Sequence, residues 1–458
     1  MALILRQYYL ACLSHASYLV GDSVSRRAVV VDPQRDVSGY LNDAAALGLS
    51  IELVIESHFH ADFLSGHLEI AAATGARIGY GSAAKGLTDF DIEILSDGRR
   101  IDLGGVWLEV LETPGHTPES ICVVVHEQGS KIPHAVLTGD TLFIGDVGRP
   151  DLLSAFGRTQ EQMARSLYAS LRDKLLSLPD STKVYPAHGA GSACGKNLST
   201  ETVSTIGEQR RTNYALAPMS EEEFVSIVTE GQVAAPLYFS FAALRNRQSR
   251  DHHVEGKAPV SLSWEEFWKL VKSGAVIVDS REPEEFARGH IVGSRNVGLS
   301  GRFAEYVGEV VRPTDTIVLV SAEGTEVEAR TRLARIGFDR VAGALNEPTT
   351  QMQCHAEHVR VASRLTATQL RERMKSVDGV VLVDVRGPGE TADGRIDGAH
   401  HLQLASLLEG AESLDSKAPT VVYCAGGYRS SIAASTLRSL GFTDVSDLVG
   451  GFGAWQKK

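Results

Sequence analysis

The chain has 458 residues, an average hydrophobic content and a formal charge of −12. Its negative charge argues against non-specific binding to nucleic acid or to anionic membranes, and no apolar run approaches the ~18 residues that a membrane helix needs. The length predicts two to four domains. The five cysteines are odd in number and widely scattered, so we expect reduced thiols and a cytoplasmic location rather than a disulfide framework.

The first half of the chain alternates short strands with helices. Apolar runs such as RAVVVDP, IELVIES and HAVLTGD each predict a strand that ends in a polar loop. The stretch TQEQMARSLYASLRDKLLSLPD predicts an amphipathic helix that is stopped by Pro179. We assign residues 1–243 to one domain. The polar, aperiodic residues 244–259 are predicted to form a linker in which His252 and His253 are solvated.

The rest of the chain contains an internal repeat, which decides the fold of this part. AVIVDSREPEEFARGHIVGSRNV aligns with VVLVDVRGPGETADGRIDGAHHL at a constant offset, so that Asp279 pairs with Asp384 and Gly293 with Gly398. Each copy continues with a strand, a short loop and a helix that ends at a glycine. We therefore predict two further α/β domains, at residues 260–358 and 359–458, of an ordinary domain size.

Candidate metal ligands follow directly on four predicted strands of the first domain. They are His58, His60, Asp62, His116, Asp140 and His188. Strand ends of one sheet lie at a common edge, so these separate loops can converge there. A single histidine after a strand is more often a packed or surface residue, but four such loops in one domain predict a metal site.

The order H-x-H-x-D, G-H-T, G-D and A-H-G resembles that of the metallo-β-lactamase superfamily, which implies an αββα sandwich. In dinuclear members, the histidine directly after the aspartate helps to hold the second metal. This sequence has Phe63 there, and an apolar ring cannot ligate. Two histidines and one carboxylate around one metal form the facial triad of non-haem Fe(II) oxygenases, and persulfide dioxygenases of this superfamily use such a site.

The resemblance implies one Fe(II) per chain. The ligands carried over by motif are His58, His116 and Asp140. The groups that would orient these ligands through hydrogen bonds are His60, Asp62 and His188. Persulfide dioxygenases often keep a histidine after the aspartate, so Phe63 favours a single metal without identifying it.

Two further residues of the first domain are candidates with open alternatives. Arg149, in FIGDVGRPDL, is predicted to bind the carboxylate of a small thiol such as glutathione, because guanidinium forks match carboxylates. A structural salt bridge is the alternative. Cys194 follows His188 beyond a glycine-rich loop. It is a candidate second carrier of sulfane sulfur, and its alternative is a small buried residue.

A second chemical motif, VVYCAGGYRSSIAAS, lies in the last domain. Cys424 ends a predicted strand, and a helix is expected to begin near Ser430. Loop N–H groups, the helix N-terminus and Arg429 would lower the pKa of the thiol and favour the nucleophilic thiolate. C-x-x-G-x-R-S resembles the active loop of rhodaneses. That resemblance implies catalytic roles for Cys424 and Arg429 and a persulfide-binding loop made of Ala425, Gly426, Gly427, Tyr428 and Ser430.

The equivalent loop of the first repeat copy, LVSAEGTEVEA, departs from this pattern. Ser321 replaces the cysteine, Glu326 replaces the arginine, and Val327 replaces the serine. A hydroxyl is a poor sulfur acceptor at neutral pH, and a glutamate opposes a bound anion. We therefore predict that this copy is catalytically silent and serves packing, spacing or dimerisation.

The whole chain resembles a persulfide dioxygenase–rhodanese fusion. The resemblance implies oxidation of a low-molecular-weight thiol persulfide, such as glutathione persulfide, by dioxygen to sulfite and thiol. Sulfur transfer through Cys424 would be coupled to it, with thiosulfate as product or donor. The alternatives are a glyoxalase II-like thioester hydrolase and a non-enzymatic sulfur-carrier or persulfide-sensing scaffold. We expect a homo-oligomer, dimer or tetramer, that binds neither nucleic acid nor a membrane.

Overall fold

The structure is a computed structural model that describes residues 2–152 and 157–457. The chain divides into two compact units, Met1–Gln232 with Phe239–Glu255, and Val233–Tyr238 with Gly256–Lys458. Among the described residues, no helix is both long and apolar enough to span a membrane.

The first unit contains two six-stranded sheets, each with its strands in sequence order. The first sheet consists of β1 (Leu3–Leu10), β2 (His15–Asp22), β3 (Arg27–Val31), β4 (Ser50–Ile55), β5 (Arg77–Gly81) and β6 (Glu93–Leu95). The second consists of β7 (Arg100–Asp102), β8 (Val106–Glu112), β9 (Ile121–Glu127), β10 (Ala135–Gly139), β11 (Lys183–Pro186) and β12 (Ser204–Thr205). The helices are α1 (Ser38–Leu47), α2 (His67–Thr74), α3 (Gln160–Ala169), α4 (Ile206–Thr212), α5 (Glu221–Thr229) and α6 (Phe239–Arg245).

The two sheets pack face to face, with helices on their outer faces. Side chains of a strand alternate between its two faces, and β9 shows the result. Ile121, Val123 and Val125 lie in the core between the sheets, whereas Cys122 and Val124 pack with α3 and α5. The outer face of the other sheet packs in the same way against α1 and α2. These four layers are the predicted αββα sandwich.

The segment predicted as a linker is not solvated along its whole length. Residues up to Glu255 belong to the first unit, and Asn246 is fully buried. His252 is exposed, as expected, but His253 is half-buried and its backbone N–H donates to Glu69 Oε1 at 3.2 Å. The polar composition was misleading because these groups find their partners in buried carboxylates and carbonyls rather than in water.

The second unit contains two five-stranded sheets of the same topology and one two-stranded sheet. Strands β13–β19 are Ser261–Leu262, Val276–Asp279, His290–Ile291, Arg295–Asn296, Ile317–Val320, Val341–Leu345 and Val359–Arg360. Strands β20–β24 are Ser363–Leu365, Val381–Asp384, His400–His401, Thr420–Tyr423 and Val445–Leu448. Helices α7–α11 are Trp264–Lys272, Pro283–Arg288, Phe303–Val310, Glu326–Arg335 and Pro348–Cys354. Helices α12–α16 are Ala367–Ser376, Pro388–Ala392, Leu407–Gly410, Tyr428–Ser439 and Gly451–Gln456.

The internal repeat of the sequence reappears as repeated topology. The sheet order β13-β18-β17-β14-β16 of the first copy corresponds strand by strand to β20-β24-β23-β21-β22 of the second, and the strands within both sheets are parallel. Asp279 forms an ion pair with Arg281, and the equivalent Asp384 forms one with Arg386, both at 2.6 Å. The repeat therefore marks two copies of one α/β fold.

Candidate functional site

Three of the predicted ligands meet at the ends of three strands of the first unit. His58 follows β4, His116 follows β8 and Asp140 follows β10. All three are buried, and their potential ligand atoms lie within 4.8 Å of one another. Asp140 Oδ2 is 3.4 Å from His116 Nε2 and 3.9 Å from His58 Nε2. The sheet edge thus gathers two imidazoles around one carboxylate.

The two imidazole rings are oriented by contacts of their Nδ1 atoms, which point away from Asp140. His116 Nδ1 donates to the Arg149 carbonyl at 2.8 Å, which leaves Nε2 as an acceptor. His58 Nδ1 lies 3.0 Å from Ser57 Oγ. Within the described residues, His58 Nε2 and Asp140 Oδ2 are buried without a hydrogen-bond partner. Buried polar atoms are rarely left unsatisfied, so the three side chains fit a divalent metal ion.

The electrostatics of the group also fit a metal. Burial, followed by the neighbouring His60, lowers the pKa of His58 well below its usual range and keeps the imidazole neutral. Burial alone would raise the pKa of Asp140, but His188, His58 and His116 hold it well below the usual range, so the carboxylate is ionised. Neutral imidazole and ionised carboxylate are the forms that bind metal.

His188 connects this group to Asp62. Its Nδ1 lies 2.7 Å from Asp140 Oδ1, and its Nε2 lies 2.7 Å from Asp62 Oδ2. One carboxylate oxygen of Asp140 is thereby held by His188 while the other faces the two histidines. His188 can therefore orient Asp140 directly, and Asp62 can do so only through His188.

His60 faces a different set of carboxylates. Its Nε2 lies 3.0 Å from Asp32 Oδ1 and 3.3 Å from Glu56 Oε2. Burial opposes protonation, but Asp32 and Glu56 raise the pKa of His60 to about 10. These two acids were not among the candidates predicted from the sequence, although RAVVVDP and IELVIES each carry one directly after the apolar run. An acid directly after an apolar strand was the available signal.

Phe63 lies beside a histidine that the sequence analysis missed. The Phe63 ring is fully buried, with its centroid 4.3 Å from that of His60 and 4.0 Å from that of His15. His15 is the first residue of β2 and is itself fully buried. Its motif, LSHAS, spans the start of β2, and only the backbone bridge between His15 and His188 shows that it faces this region.

Asn246, directly after α6, binds the loop that carries His58, His60 and Asp62. Its Nδ2 donates to the carbonyls of His60 and Phe63, both at 2.8 Å, and its Oδ1 accepts from the Ser65 N–H at 3.0 Å. The loop carrying His58, His60 and Asp62 is therefore fixed by a side chain more than 180 residues away in sequence.

We expect Asn246→Ala to lower both the stability of the first unit and its metal affinity. Each buried group left unsatisfied costs about 1–3 kcal/mol, and the released loop would place His58 less accurately. Thermal unfolding and bound-metal content measure the two effects. Gln248→Ala is the matched control, since that half-buried amide accepts from Arg245 and does not hold the loop. An unchanged melting temperature in Asn246→Ala would contradict this role.

Arg149 and Cys194 are both buried, but Arg149 is held in a salt bridge and Cys194 lies beside potential metal ligands. Arg149 is buried, and its guanidinium makes two bonds of 2.6 Å to Asp151 and one of 3.2 Å to the Ala193 carbonyl. A substrate carboxylate would have to displace Asp151, so the geometry favours the structural salt bridge. Cys194 Sγ lies within 4.8 Å of ligand atoms of Asp62 and His188. Burial and the nearby carboxylates raise the pKa of this thiol well above its usual range.

The Cys424 loop of the second unit is built around its sulfur. Cys424 follows β23 and is buried, and α15 begins at Tyr428, slightly earlier than expected. The Gly427 N–H donates to Sγ at 3.1 Å, and Ser430 Oγ lies 3.6 Å from it. Gly427 has a φ of 105°, a backbone conformation that residues other than glycine rarely adopt. Ala425 and Gly426 are exposed at the mouth of the loop.

Arg429 forms an ion pair with Glu390, an acid that was not among the candidates predicted from the sequence. Its guanidinium binds Glu390 Oε2 and Oε1 at 2.8 and 2.7 Å. Such bidentate pairs fix the geometry of the guanidinium. Arg429 therefore stands beside the loop as a positioned cation.

Comparison with known proteins identifies both parts of the chain. The sequence matches the Metallo-beta-lactamase superfamily over residues 10–188 and the Rhodanese-like domain over residues 263–346 and 366–458. It is 32% identical to the mitochondrial persulfide dioxygenase of Homo sapiens, over 53% of this chain and 87% of that protein. The counterpart from Bos taurus is 31% identical over the same shares. The chain belongs to the persulfide dioxygenase family.

A solved structure extends the similarity beyond the first unit. The crystal structure of a metallo-β-lactamase from Staphylococcus aureus has a TM-score of 0.68 at 30% identity, and the match covers 76% of this chain and 100% of that chain. The predicted fold class, a metallo-β-lactamase domain followed by two rhodanese-like domains, is confirmed. Persulfide oxidation and sulfur transfer are the activities that this family membership supports.

The two rhodanese-like domains of this persulfide dioxygenase family member touch at the Cys424 loop. Tyr428 donates its hydroxyl to the Gly298 carbonyl of the first rhodanese-like domain at 2.6 Å, and its ring lies edge-on to that of Tyr306 at 5.4 Å. A Cβ on Gly301 would lie 2.6 Å from the Tyr428 ring. The first rhodanese-like domain thus forms a slot for a side chain of the second domain's loop.

Tyr428→Phe and Tyr428→Ala separate the hydrogen bond from the ring. We expect the phenylalanine variant to lose about 0.5–1.5 kcal/mol of stability, the worth of one hydrogen bond. The alanine variant should lose more, because it also removes the ring contacts, and its sulfur transfer should slow as the loop loses its anchor. Chemical denaturation and sulfurtransferase kinetics test this. Equal stability and activity of the two variants would show that the slot does not hold the loop.

Proposed function

We propose that the first unit is a non-haem Fe(II) persulfide dioxygenase that oxidises a low-molecular-weight thiol persulfide, such as glutathione persulfide, to sulfite and the thiol. The observation that carries this proposal is the buried group of His58, His116 and Asp140, whose unsatisfied atoms face one another. Two histidines and one carboxylate leave coordination positions open for substrate and dioxygen. One Fe(II) per chain would occupy this site.

The residues around the three ligands supply orientation. The Arg149 carbonyl accepts from His116 Nδ1, and His188 holds one oxygen of Asp140. Such outer partners fix the ring and the carboxylate in the geometry that a metal requires. When bound, Fe(II) would be a redox-active ion with open positions for a persulfide sulfur and dioxygen. In the overall reaction persulfide, dioxygen and water give thiol and sulfite, with protons released.

We also propose that Cys424 transfers sulfane sulfur by way of a covalent persulfide, which splits the transfer into two easier steps. In the first step the Cys424 thiolate attacks the outer sulfur of thiosulfate and sulfite leaves, or it attacks a thiol persulfide and the thiol leaves. In the second step a thiol or sulfite takes this sulfur and the Cys424 thiolate leaves. The Gly427 N–H and Ser430 face the sulfur that carries the charge.

The first rhodanese-like domain is proposed to be silent. Ser321 is buried and accepts a hydrogen bond from Ser280 Oγ at 2.8 Å. Glu326 takes the place of Arg429, so a bound anion would meet a carboxylate. We propose that this domain contributes packing at the Tyr428 slot. Cys194 is proposed as a second sulfur carrier, while the cytoplasmic location and the homo-oligomeric state remain predictions from the sequence.

The deciding experiment is dioxygen consumption by anaerobically purified, Fe(II)-loaded protein given glutathione persulfide, with sulfite and thiosulfate quantified. Hydrolysis of S-lactoylglutathione is measured in parallel, because a glyoxalase II-like enzyme would use a metal-bound hydroxide. We expect oxygen uptake and no thioester hydrolysis. Hydrolysis without uptake would replace the dioxygenase by a hydrolase. Stoichiometric sulfur binding without uptake would favour a carrier scaffold.

A further inference from the structure

Arg429, the cation of the Cys424 loop, is paired with one carboxylate. Its Nη1 and Nη2 donate to Glu390 Oε2 and Oε1 at 2.8 and 2.7 Å. Burial lowers the pKa of Arg429, but Glu390 and a Cys424 thiolate raise it above its usual range, so the guanidinium and the sulfur are close enough to interact. The charge that stands beside this sulfur is therefore already offset by an acid.

Glu390 is held in place by contacts other than Arg429. It lies in the first turn of α13, and its Oε2 also accepts from the Gly387 N–H at 3.1 Å. Arg386 Nη1 donates to the Glu390 backbone carbonyl at 3.1 Å. Arg386 is itself fixed by its ion pair with Asp384. The position of the carboxylate thus sets where the guanidinium of Arg429 points.

The ionised acid beside Arg429 is Glu390 rather than a residue of the first rhodanese-like domain. Helix α9 of that domain packs against α15, which carries Arg429. Burial and Glu305 raise the pKa of Glu309 on α9 to about 8, although the charge of Arg429 opposes this. Burial would also raise the pKa of Glu390, but Arg429 holds it below its usual range. At pH 7 Glu309 is therefore mostly neutral and Glu390 is charged.

The two sulfur donors proposed for Cys424 differ in charge at their reacting end. Thiosulfate is a dianion whose outer sulfur is bonded to a sulfite group, whereas a thiol persulfide carries at most one charge there. With either donor the Cys424 thiolate bonds to the outer sulfur, the bond from that sulfur to its carrier breaks, and the electron pair leaves with sulfite or with the carrier thiolate. The Gly427 N–H, 3.1 Å from Sγ, suits one charged sulfur, but sulfite oxygens need a further donor or a cation.

We propose that Glu390 determines donor specificity at Cys424, because by holding Arg429 it weakens the site for doubly charged thiosulfate relative to thiol persulfides. Discrimination is a difference of affinities, and a paired cation takes attraction chiefly from the more highly charged ligand. This inference rests on the sulfur transfer proposed for Cys424 and names its donor class as thiol persulfides. A freed guanidinium would match sulfite oxygens, because it presents several N–H donors in one plane.

Glu390→Gln in the full-length protein tests this role. Glutamine can keep the helix cap, as Gln162 and Gln369 do in α3 and α12, but it removes the charge that offsets Arg429. Persulfide formation on Cys424 is measured anaerobically in single turnovers, by quenching and peptide mass spectrometry, with thiosulfate or glutathione persulfide as donor. We expect the second-order rate constant for thiosulfate to rise by about tenfold or more, chiefly through a lower half-saturating concentration, since one full charge is no longer offset. The constant for glutathione persulfide should change much less.

Glu285→Gln is the matched control. Glu285 is the equivalent acid of the first rhodanese-like domain, where Glu326 replaces the arginine, so both rate constants should stay at their wild-type values. Equal losses with both donors in Glu390→Gln would assign Glu390 a structural role only and would overturn the proposal. An unchanged ratio of the two rate constants would do the same.

Thiosulfate binding to Cys424→Ser, measured by calorimetry with and without Glu390→Gln, reports affinity where no sulfur can be transferred. We expect tighter binding in the double variant, and equal affinity would contradict the role of Glu390. A wild-type protein that forms no Cys424 persulfide with either donor would refute the sulfur transfer itself. The binding measurement still decides the role of Glu390 in that case, so the two failures are distinguishable.

Discussion

Replacing His116 by alanine should remove iron-dependent oxygen uptake. The variant loses one of three protein ligands and leaves the Arg149 carbonyl without its imidazole donor. Loss of an outer-shell partner alone costs a metal site about 10–100-fold in affinity or activity, so loss of a direct ligand should exceed that range. Iron content after anaerobic loading and the initial rate of oxygen consumption with glutathione persulfide measure the effect.

His134→Ala is the matched control for this experiment. His134 is half-buried, pairs with Glu127 at 3.0 Å, and lies at the opposite end of β10 from Asp140. It should keep both iron and oxygen uptake. A His116→Ala protein that retains iron and full uptake would exclude the proposed ligand set. Retained sulfur transfer through Cys424 would show that the second unit of the variant is folded.

Replacing Cys424 by serine should abolish sulfur transfer between thiosulfate and a thiol while leaving oxygen uptake in place. A serine hydroxyl at neutral pH does not form the covalent sulfur intermediate that the proposed reaction needs. With glutathione persulfide as substrate, the product of the variant should shift from thiosulfate toward sulfite. Product analysis after complete turnover of the persulfide detects this shift.

Cys354→Ser provides the comparison for Cys424→Ser. Cys354 is an exposed cysteine at the end of α11 in the first rhodanese-like domain. Its variant should transfer sulfur at the wild-type rate. Full transfer activity in Cys424→Ser would remove Cys424 from the reaction and leave Cys194 as the carrier to examine.

The positions of the proposed iron ligands followed from local sequence patterns. Each lies directly after an apolar strand, and strands of such sheets end at shared edges, so His58, His116 and Asp140 could be predicted to meet. The repeat of the second half could also be predicted, because Asp279 and Asp384 stand at matching positions of two similar stretches. In the structure each forms the same buried ion pair at the end of an interior strand.

The partners of these residues were not accessible from the sequence in the same way. Glu390 binds Arg429 across 39 positions of the chain, and Asn246 binds the Phe63 carbonyl across 183 positions. Neither residue lies in a motif that predicts chemistry, and each gains its role only when tertiary packing brings its element alongside the loop. His15 escaped for the same reason, since a histidine at the start of a strand has no periodicity that separates a ligand from a core residue.

The slot for Tyr428 implies that, in the first rhodanese-like domain, substitutions are tolerated less well at the contact with Tyr428 than in the loop equivalent to the Cys424 loop. The loop that would hold a nucleophile in an active rhodanese carries Ser321 there, and if the domain is silent, many substitutions in that loop are neutral for catalysis. Gly301 has no side chain that could take part in a reaction, yet any side chain at this position would collide with the ring of Tyr428. Natural variants should therefore be frequent in the loop that carries Ser321 and rare at Gly301, which contacts Tyr428. If the first rhodanese-like domain is silent, its contact with Tyr428 would be the reason that the fused chain retains it.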